Sequence, residues 1–191
     1  MMAAVATCTE HIRIGPMATP IARRRPIKLA REITTLDLLS QGRLTVGVGL
    51  GVDSGGELSR FAEETRDRVR DEMLDDGNYT IDGVSLEPRP HQQPRPPLWF
   101  AARAGAKKPV RRAALYEGIF PISMTSAQFD AALEEVVSIR GSLDGFDIYL
   151  KINPGDPPPP YLDRVPWLLQ AFSAVADLDQ LFDVVMHGPP Q

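Results

Sequence analysis

This sequence of 191 residues has a single cysteine, no long apolar run and fewer basic than acidic residues. Cys8 is the one cysteine, so no internal disulfide forms, and the reducing cytoplasm is the expected location. No apolar run approaches the ~18 residues of a membrane span, and residues 1–14 lack the pattern of a signal peptide. The 25 acidic residues outnumber the 21 basic ones, which argues against nucleic acid as a partner.

Recognisable catalytic and metal-binding patterns are also scarce. His11, His91 and His187 share no metal-ligand spacing, so no metal site is predicted. Cys8 lacks the basic or histidine-rich surroundings of a nucleophilic thiol. The glycines near residue 49 do not form a dinucleotide fingerprint, because Ser54 stands where its third glycine should be. No catalytic acid, base or nucleophile is therefore assigned.

The most informative stretch runs from residue 36 to residue 51. Apolar residues at three- and four-residue spacing predict a helix from Pro26 to Gln41, which Gly42 ends because glycine adopts positive φ readily. In the strand predicted next, one face carries Leu44, Val46, Val48 and Leu50, and the other carries Thr45, Gly47, Gly49 and Gly51. A glycine face indicates that something approaches the backbone closely, either a flat ligand or a crowded neighbouring strand.

Strands and helices alternate along the rest of the chain. The other predicted elements are a helix at 2–9, a strand at 12–15 entering a loop at 16–20, a helix at 57–76, a hairpin at 79–86, an extended proline-rich run at 87–97, a strand at 98–102, a helix at 109–116, a strand at 118–122, a helix at 126–140, a strand at 146–152 and a sixth strand near 165–168. Such alternation predicts an α/β fold in which parallel strands are joined by crossover helices.

Several motifs stand in a fixed order along the first two thirds of the chain. They are Ile12–Gly15, Arg23–Pro26, Leu29–Glu32, Leu36–Gly51, Pro88–Trp99, Arg111–Ala114 and Gly118–Pro121. Together they resemble the bacterial luciferase-like monooxygenase family. The resemblance implies a TIM-type (β/α) barrel that uses FMN or the deazaflavin coenzyme F420 as an oxidoreductase or monooxygenase on a small organic substrate.

In a barrel of this type the cofactor lies at the carboxyl ends of the strands. The residues that the resemblance places there are Thr19, Gly47, Gly49, Gly51, Ala104, Gly105, Ala106 and Lys107. Lys107 and Lys108 are predicted to precede a helix, so the N–H groups of residues 104–106 could hold a cofactor phosphate; the alternative is a solvated basic loop. Residues 23–25 are all arginine, and they could either bind an anionic ligand or form a solvated, ion-paired cluster.

The sequence also departs from the family. A complete barrel has eight strands and ~250 residues, whereas six strands are predicted here. We expect one domain over residues 1–191, an incomplete barrel that lacks the first strands and an internal segment near residues 76–78, with an irregular proline-rich segment at 153–161. The alternatives are a non-catalytic, truncated homologue that acts as a binding or partner subunit, or a degenerate gene product, with the cofactor lost. Unpaired strand edges predict a homo-oligomer or pairing with a full-length homologue.

Overall fold

A computed structural model describes residues 1–51, 86–152 and 161–170. The chain divides into two compact units, Met1–Ala101 and Ala102–Gln191. The helix predicted at 57–76, the hairpin predicted at 79–86 except for its last residue, and residues 153–160 of the proline-rich segment lie outside the described residues.

The described part of the first unit alternates helices with parallel strands. Its elements are α1 (Met2–Cys8), β1 (Thr19–Pro20), a 3₁₀ turn (Ile21–Arg23), α2 (Pro26–Leu39), β2 (Val46–Gly49) and β3 (Leu98–Arg103), within which the unit boundary falls. Thr19 of β1 pairs with Val48 of β2, and Val46 of β2 pairs with Leu98 of β3. β2 therefore has a parallel partner on each side.

The second unit repeats this pattern. Its described elements are α3 (Lys107–Ala113), β4 (Gly118–Ile122), α4 (Ser126–Arg140), β5 (Asp147–Ile152), a 3₁₀ turn (Leu162–Arg164) and β6 (Trp167–Gln170). Gly118 pairs with Asp147, and Tyr149 pairs with Trp167, both in parallel. The prediction of parallel strands alternating with helices is confirmed in both units.

The prediction at the first strand needs a correction. Ile14 makes only an isolated bridge to Leu44, and β1 forms instead at Thr19–Pro20, inside the loop predicted at 16–20. Pro16 has no N–H to donate to a ladder. The chain also advances five residues from Ile14 to Thr19 while its partner advances four from Leu44 to Val48, which is the extra residue of a bulge.

The core of the first unit lies between α2 and the apolar face of β2. Leu44, Val46 and Val48 are at most 4% exposed. Leu29 and Leu36 of α2 line a cavity of about 100 Å³ together with Leu44 and Val46. Because α2 covers this face, the glycine face of β2 points away from the helix.

The core of the second unit is built from α4 and the strands beside it. The buried side chains include Ile119, Phe129, Leu133, Val136 and Ile148. α4 begins at a capping box in which Gln128 N donates to Thr125 Oγ1 and Thr125 N donates to Gln128 Oε1, and it ends at Gly141 with φ +87°. These local signals explain why the predicted bounds of α4 are confirmed.

Candidate functional site

The glycine face of β2 is filled at Gly47 by the chain itself. A Cβ on Gly47 would lie 2.0 Å from the carbonyl oxygen of Met17 and 2.6 Å from that of Pro16. Gly47 N donates a hydrogen bond of 2.9 Å to the same Pro16 oxygen. The close approach that the glycine pattern predicted is therefore, at this position, the approach of a neighbouring backbone segment.

Two residues further on, the same face has room for a methyl group. A Cβ on Gly49 would lie 3.6 Å from the Cβ of Ala101 and 3.7 Å from the Cβ of Ala18, which are ordinary contact distances. Ala18 is exposed, and Gly49 and Ala101 are half-buried. We call these three residues the small-residue floor; it lies at the carboxyl end of β2 and carries no side-chain atom beyond a methyl group.

Gly51 and Arg23 form one edge of the small-residue floor. Gly51 has φ +82°, a conformation that glycine adopts at the lowest cost. The point where its Cβ would stand lies 3.3 Å from Nε and 3.4 Å from Cζ of Arg23, which ends the 3₁₀ turn after β1. A positive charge is therefore held against Gly51.

Thr19 lies on the opposite side of the strands from the small-residue floor. It is 7% exposed, and it lines the cavity beneath α2 with Leu44 and Val46. Its register partner is Val48, whose side chain belongs to the same apolar face. The structure thus brings Gly49 and Gly51 to one face and Thr19 to the other.

The remaining predicted site residues belong to the second unit. Lys107 and Lys108 are the first two residues of α3 and do not precede it, which corrects the predicted helix start at Pro109. The error arises because proline is tolerated throughout the first helical turn, where its missing N–H has no partner to lose. Ala106 N donates to the Arg103 oxygen at 3.1 Å, so this amide is engaged in a turn.

Ala104, Gly105 and Lys107 are exposed beside that turn. Gly105 has φ +74°, and no atom lies within 4 Å of the point where its Cβ would stand. Lys107 is exposed at the start of α3, a helix with no acidic residue in its first turn. The turn therefore offers an accessible backbone and a positive charge.

The arginine cluster at 23–25 separates into different environments. Arg24 Nη1 lies 3.2 Å from Glu32 Oε2, and Lys28 Nζ lies 3.8 Å from Glu32 Oε1. Arg25 is exposed at the N-cap of α2. Arg24 follows the ion-paired interpretation of the cluster, and the Arg23 guanidinium lies against Gly51.

A buried phenol and an aromatic contact stand out in the second unit. The ring centroids of Phe120 and Tyr149 are 5.1 Å apart, and both residues are buried. Burial raises the pKa of Tyr149 to about 12, and burial also raises the pKa of Tyr161, whose hydroxyl donates to the Met124 oxygen at 3.2 Å. Both phenols are neutral at physiological pH.

Neither a metal-ligand cluster nor a membrane-spanning helix occurs in residues 1–51, 86–152 and 161–170. No group of three or more His, Cys, Asp or Glu residues is placed there to hold a metal ion. No helix in those ranges combines the length and the apolar character needed to cross a membrane.

A family model described as luciferase-like monooxygenase matches residues 1–140. The chain belongs to the luciferase-like monooxygenase family. The match covers the motifs on which the resemblance was based, so that prediction is confirmed.

Curated relatives of this luciferase-like chain are longer than it is. The oxygenase component of flavin-dependent trigonelline monooxygenase from Acinetobacter baylyi is 34% identical over 119 aligned positions, and the match covers 53% of this chain and 33% of that protein. An uncharacterised protein of Mycobacterium tuberculosis is 34% identical over 122 aligned positions, and the match covers 56% of this chain and 43% of that protein. The chain therefore spans a third to less than half of the length of these relatives.

Solved structures share the fold. The monooxygenase RslO1 from Streptomyces bottropensis superimposes with a TM-score of 0.64 at 24% identity, over 80% of this chain and 53% of that one. Coenzyme F420 dependent tetrahydromethanopterin reductase from Methanopyrus kandleri gives 0.61 at 20% identity, over 80% and 54%. The fold class predicted from the sequence, α/β and part of a TIM-type barrel, is confirmed.

Two residues of the small-residue floor, Ala18 and Ala101, could not be predicted from the sequence. Ala101 belongs to the floor because β2 and β3 pair in a register that places it beside Gly49, and the sequence does not reveal that register. Arg23 was among the arginines at 23–25 for which the sequence left open an anionic ligand or a solvated, ion-paired cluster. Ala18 lies in the bulge, whose presence the sequence pattern does not show.

Proposed function

We propose that this chain binds a flavin or deazaflavin on the small-residue floor and takes part in a luciferase-like oxidation of a small organic substrate. The observation that carries the proposal is the floor itself, three residues without side chains beyond Cβ at the carboxyl end of β2. Active sites of TIM-type barrels lie at this end of the strands. When bound, such a cofactor supplies the hydride transfer or the reaction with oxygen.

The floor fits a flat ring system. The atoms nearest to a Cβ at Gly49 would be the methyl carbons of Ala101 and Ala18, at 3.6 and 3.7 Å, so no longer side chain protrudes at this point. Gly47 and Thr19 act indirectly in this proposal, because they hold β1 and its preceding segment against β2. Gly49 and Gly51 are the predicted residues that contact the ring.

Arg23 supplies the charge that an anionic cofactor needs. FMN carries a phosphate and coenzyme F420 is also anionic, and a guanidinium binds such groups through paired N–H donors. Ala104, Gly105, Ala106 and Lys107 in the second unit are retained as a separate proposal for an anionic part of the cofactor, with the Ala106 amide contributing through the turn that it stabilises.

A binding experiment distinguishes FMN from coenzyme F420 as the cofactor. Fluorescence titration of the purified chain with each cofactor, and with riboflavin, measures affinity and specificity. We expect saturable binding of one of the two anionic cofactors. The proposal is contradicted if neither FMN nor coenzyme F420 binds saturably.

Variants of Gly49 test the floor. Gly49→Leu places a branched side chain over Ala18 and Ala101, and we expect it to weaken cofactor binding at least tenfold. Gly49→Ala adds only a methyl group at contact distance, and we expect a change of less than threefold. Ala4→Leu, on the exposed surface of α1, is the control for added apolar bulk.

Variants of the two cations test the anion positions separately. Arg23→Gln should weaken FMN binding more than riboflavin binding, because only FMN offers a phosphate to the guanidinium. Lys107→Gln tests the turn before α3 in the same way. If each variant loses affinity for FMN and for riboflavin equally, neither Arg23 nor Lys107 binds the phosphate. The small-residue floor would then remain as the proposed binding surface.

Assembly and location stay predictions. Sedimentation of the chain alone and with a full-length homologue distinguishes a homo-oligomer from a mixed complex, and from a monomer. The cytoplasmic location rests on the single cysteine.

A further inference from the structure

Lys151 is an exposed lysine on a strand that is paired on both sides. β5 pairs with β4 through Ile119 and Ile148, and with β6 through Lys151 and Leu169. The three residues before Lys151 on this strand are all buried. Parallel strands with two neighbours are usually apolar throughout, so a lysine near the carboxyl end of β5 calls for a solvent or ligand partner.

Aromatic and apolar residues adjoin Lys151. Tyr149 precedes it by two positions and shares its face of β5. The Phe120 ring lies 5.1 Å from the Tyr149 ring, at 56° between the planes. Ile122 follows Phe120 by two positions on β4 and is half-buried. We call Phe120, Ile122 and Tyr149 the aromatic patch; Lys151 adds a cation at its carboxyl end.

No carboxylate neutralises this cation among the described residues. Lys151 takes part in none of the ion pairs that join residues of the described ranges. The acidic residue on its own face of β5 is Asp147, four residues earlier and about 13 Å away along an extended strand. Tyr149 adds no negative charge, since burial raises its pKa to about 12.

We propose that Lys151 binds the carboxylate of a small substrate whose apolar or aromatic body lies against Ile122, the half-buried end of the aromatic patch. The inference rests on the proposed function, because that function places the substrate at the carboxyl ends of the strands. An ammonium group attracts a carboxylate without demanding a fixed geometry, and the Ile122 side chain offers apolar surface to the body of the substrate. Lys151 is in this view a specificity-determining residue that selects organic acids.

The test compares two probes of the same shape and different charge, benzoate and benzamide. Binding of each is followed by NMR chemical-shift titration of the full chain. Lys151→Met is one atom shorter, stays unbranched and removes the charge, and we expect it to weaken benzoate binding at least tenfold while changing benzamide binding less than twofold. Lys151→Arg should retain benzoate binding. Lys28→Met removes another exposed lysine and should change neither probe.

Three outcomes overturn the inference. The first is a wild-type chain that binds benzoate no more tightly than benzamide. The second is a Lys151→Met variant with unchanged benzoate affinity and an unchanged circular dichroism spectrum. The third is a selective loss of FMN relative to riboflavin in Lys151→Met, which assigns the lysine to a cofactor phosphate. The cofactor titrations of the wild-type chain test the proposed function independently, so saturable cofactor binding with any of these outcomes contradicts the role of Lys151 alone.

Discussion

The carbonyl oxygen of Met17 lies 2.0 Å from the point where a Cβ on Gly47 would stand. Because that atom belongs to backbone, an added methyl group forces the two segments apart. We expect Gly47→Ala to lower the free energy of unfolding by about 3 kcal/mol or more, at the upper end of overpacking effects. Gly49→Ala, with 3.6 Å to its nearest neighbour, should change it by less than about 1 kcal/mol. Urea unfolding of the two variants measures both changes in unfolding free energy. Equal urea midpoints for Gly47→Ala and Gly49→Ala would contradict the backbone clash expected at Gly47.

Much of the fold could be predicted where the determining interactions are local. The helix predicted at 126–140 and the strand predicted at 118–122 have the bounds of α4 and β4. The first of these is delimited by Thr125 and Gly141, which act within one helical turn. β1 could not be predicted, because its pairing with Val48 depends on a bulge and on a partner about thirty residues away.

The candidate site could be predicted only as a face. Alternation placed Gly47 and Gly49 on one side of a strand, but it did not distinguish them. The difference lies in which segment passes beside each: the Pro16–Met17 backbone at Gly47, and the methyl groups of Ala18 and Ala101 at Gly49. Such contacts between residues distant in sequence depend on tertiary structure, which a periodic pattern does not encode.

Gln92 ties the proline-rich segment to the first unit through a buried carboxylate. Its backbone N donates to Asp37 Oδ2 at 2.8 Å, and its Nε2 donates to Asp37 Oδ1 and to the Leu44 oxygen at 2.7 Å. Asp37 is fully buried, so losing the Nε2 donor leaves its Oδ1 without that hydrogen bond, although the backbone N of residue 92 still donates to Oδ2. We expect Gln92→Ala to cost about 2 kcal/mol or more of unfolding free energy.

The neighbouring glutamine provides the matched control. Gln93 Nε2 donates to the Pro90 oxygen at 2.7 Å, but this bond is exposed. Gln93→Ala should therefore cost less than about 0.5 kcal/mol in the same urea titration. Losses of equal size at the two positions would show that the segment does not depend on Asp37.

Arg43 holds the end of α1 with one guanidinium. Its nitrogens donate to the oxygens of Ala6, Thr9 and Ile12, to Thr9 Oγ1 and to the Ser40 oxygen, at 2.7 to 3.0 Å. Lysine has three donors on one atom and cannot span these acceptors. We expect Arg43→Lys to cost about 2 kcal/mol and to raise hydrogen-exchange rates at residues 5–9 first. Arg24→Lys, at an exposed ion pair with Glu32, should change those rates little.

Tyr149 makes the stability of the second unit vary with pH in the alkaline range. Its pKa is about 12 in the folded chain because of burial, against 10.0 when solvated. The unfolded chain therefore loses this proton first as pH rises, and ionisation favours unfolding. The contribution of Tyr149 is fully present below pH 10 and is lost between pH 10 and pH 12.

Thermal unfolding midpoints of the wild-type chain should fall more steeply over that interval than those of Tyr149→Phe. Part of the fall should persist in the variant, since burial also raises the pKa of Tyr161. Parallel curves for the two proteins between pH 10 and pH 12 would show that the Tyr149 phenol ionises equally in the folded and unfolded chain.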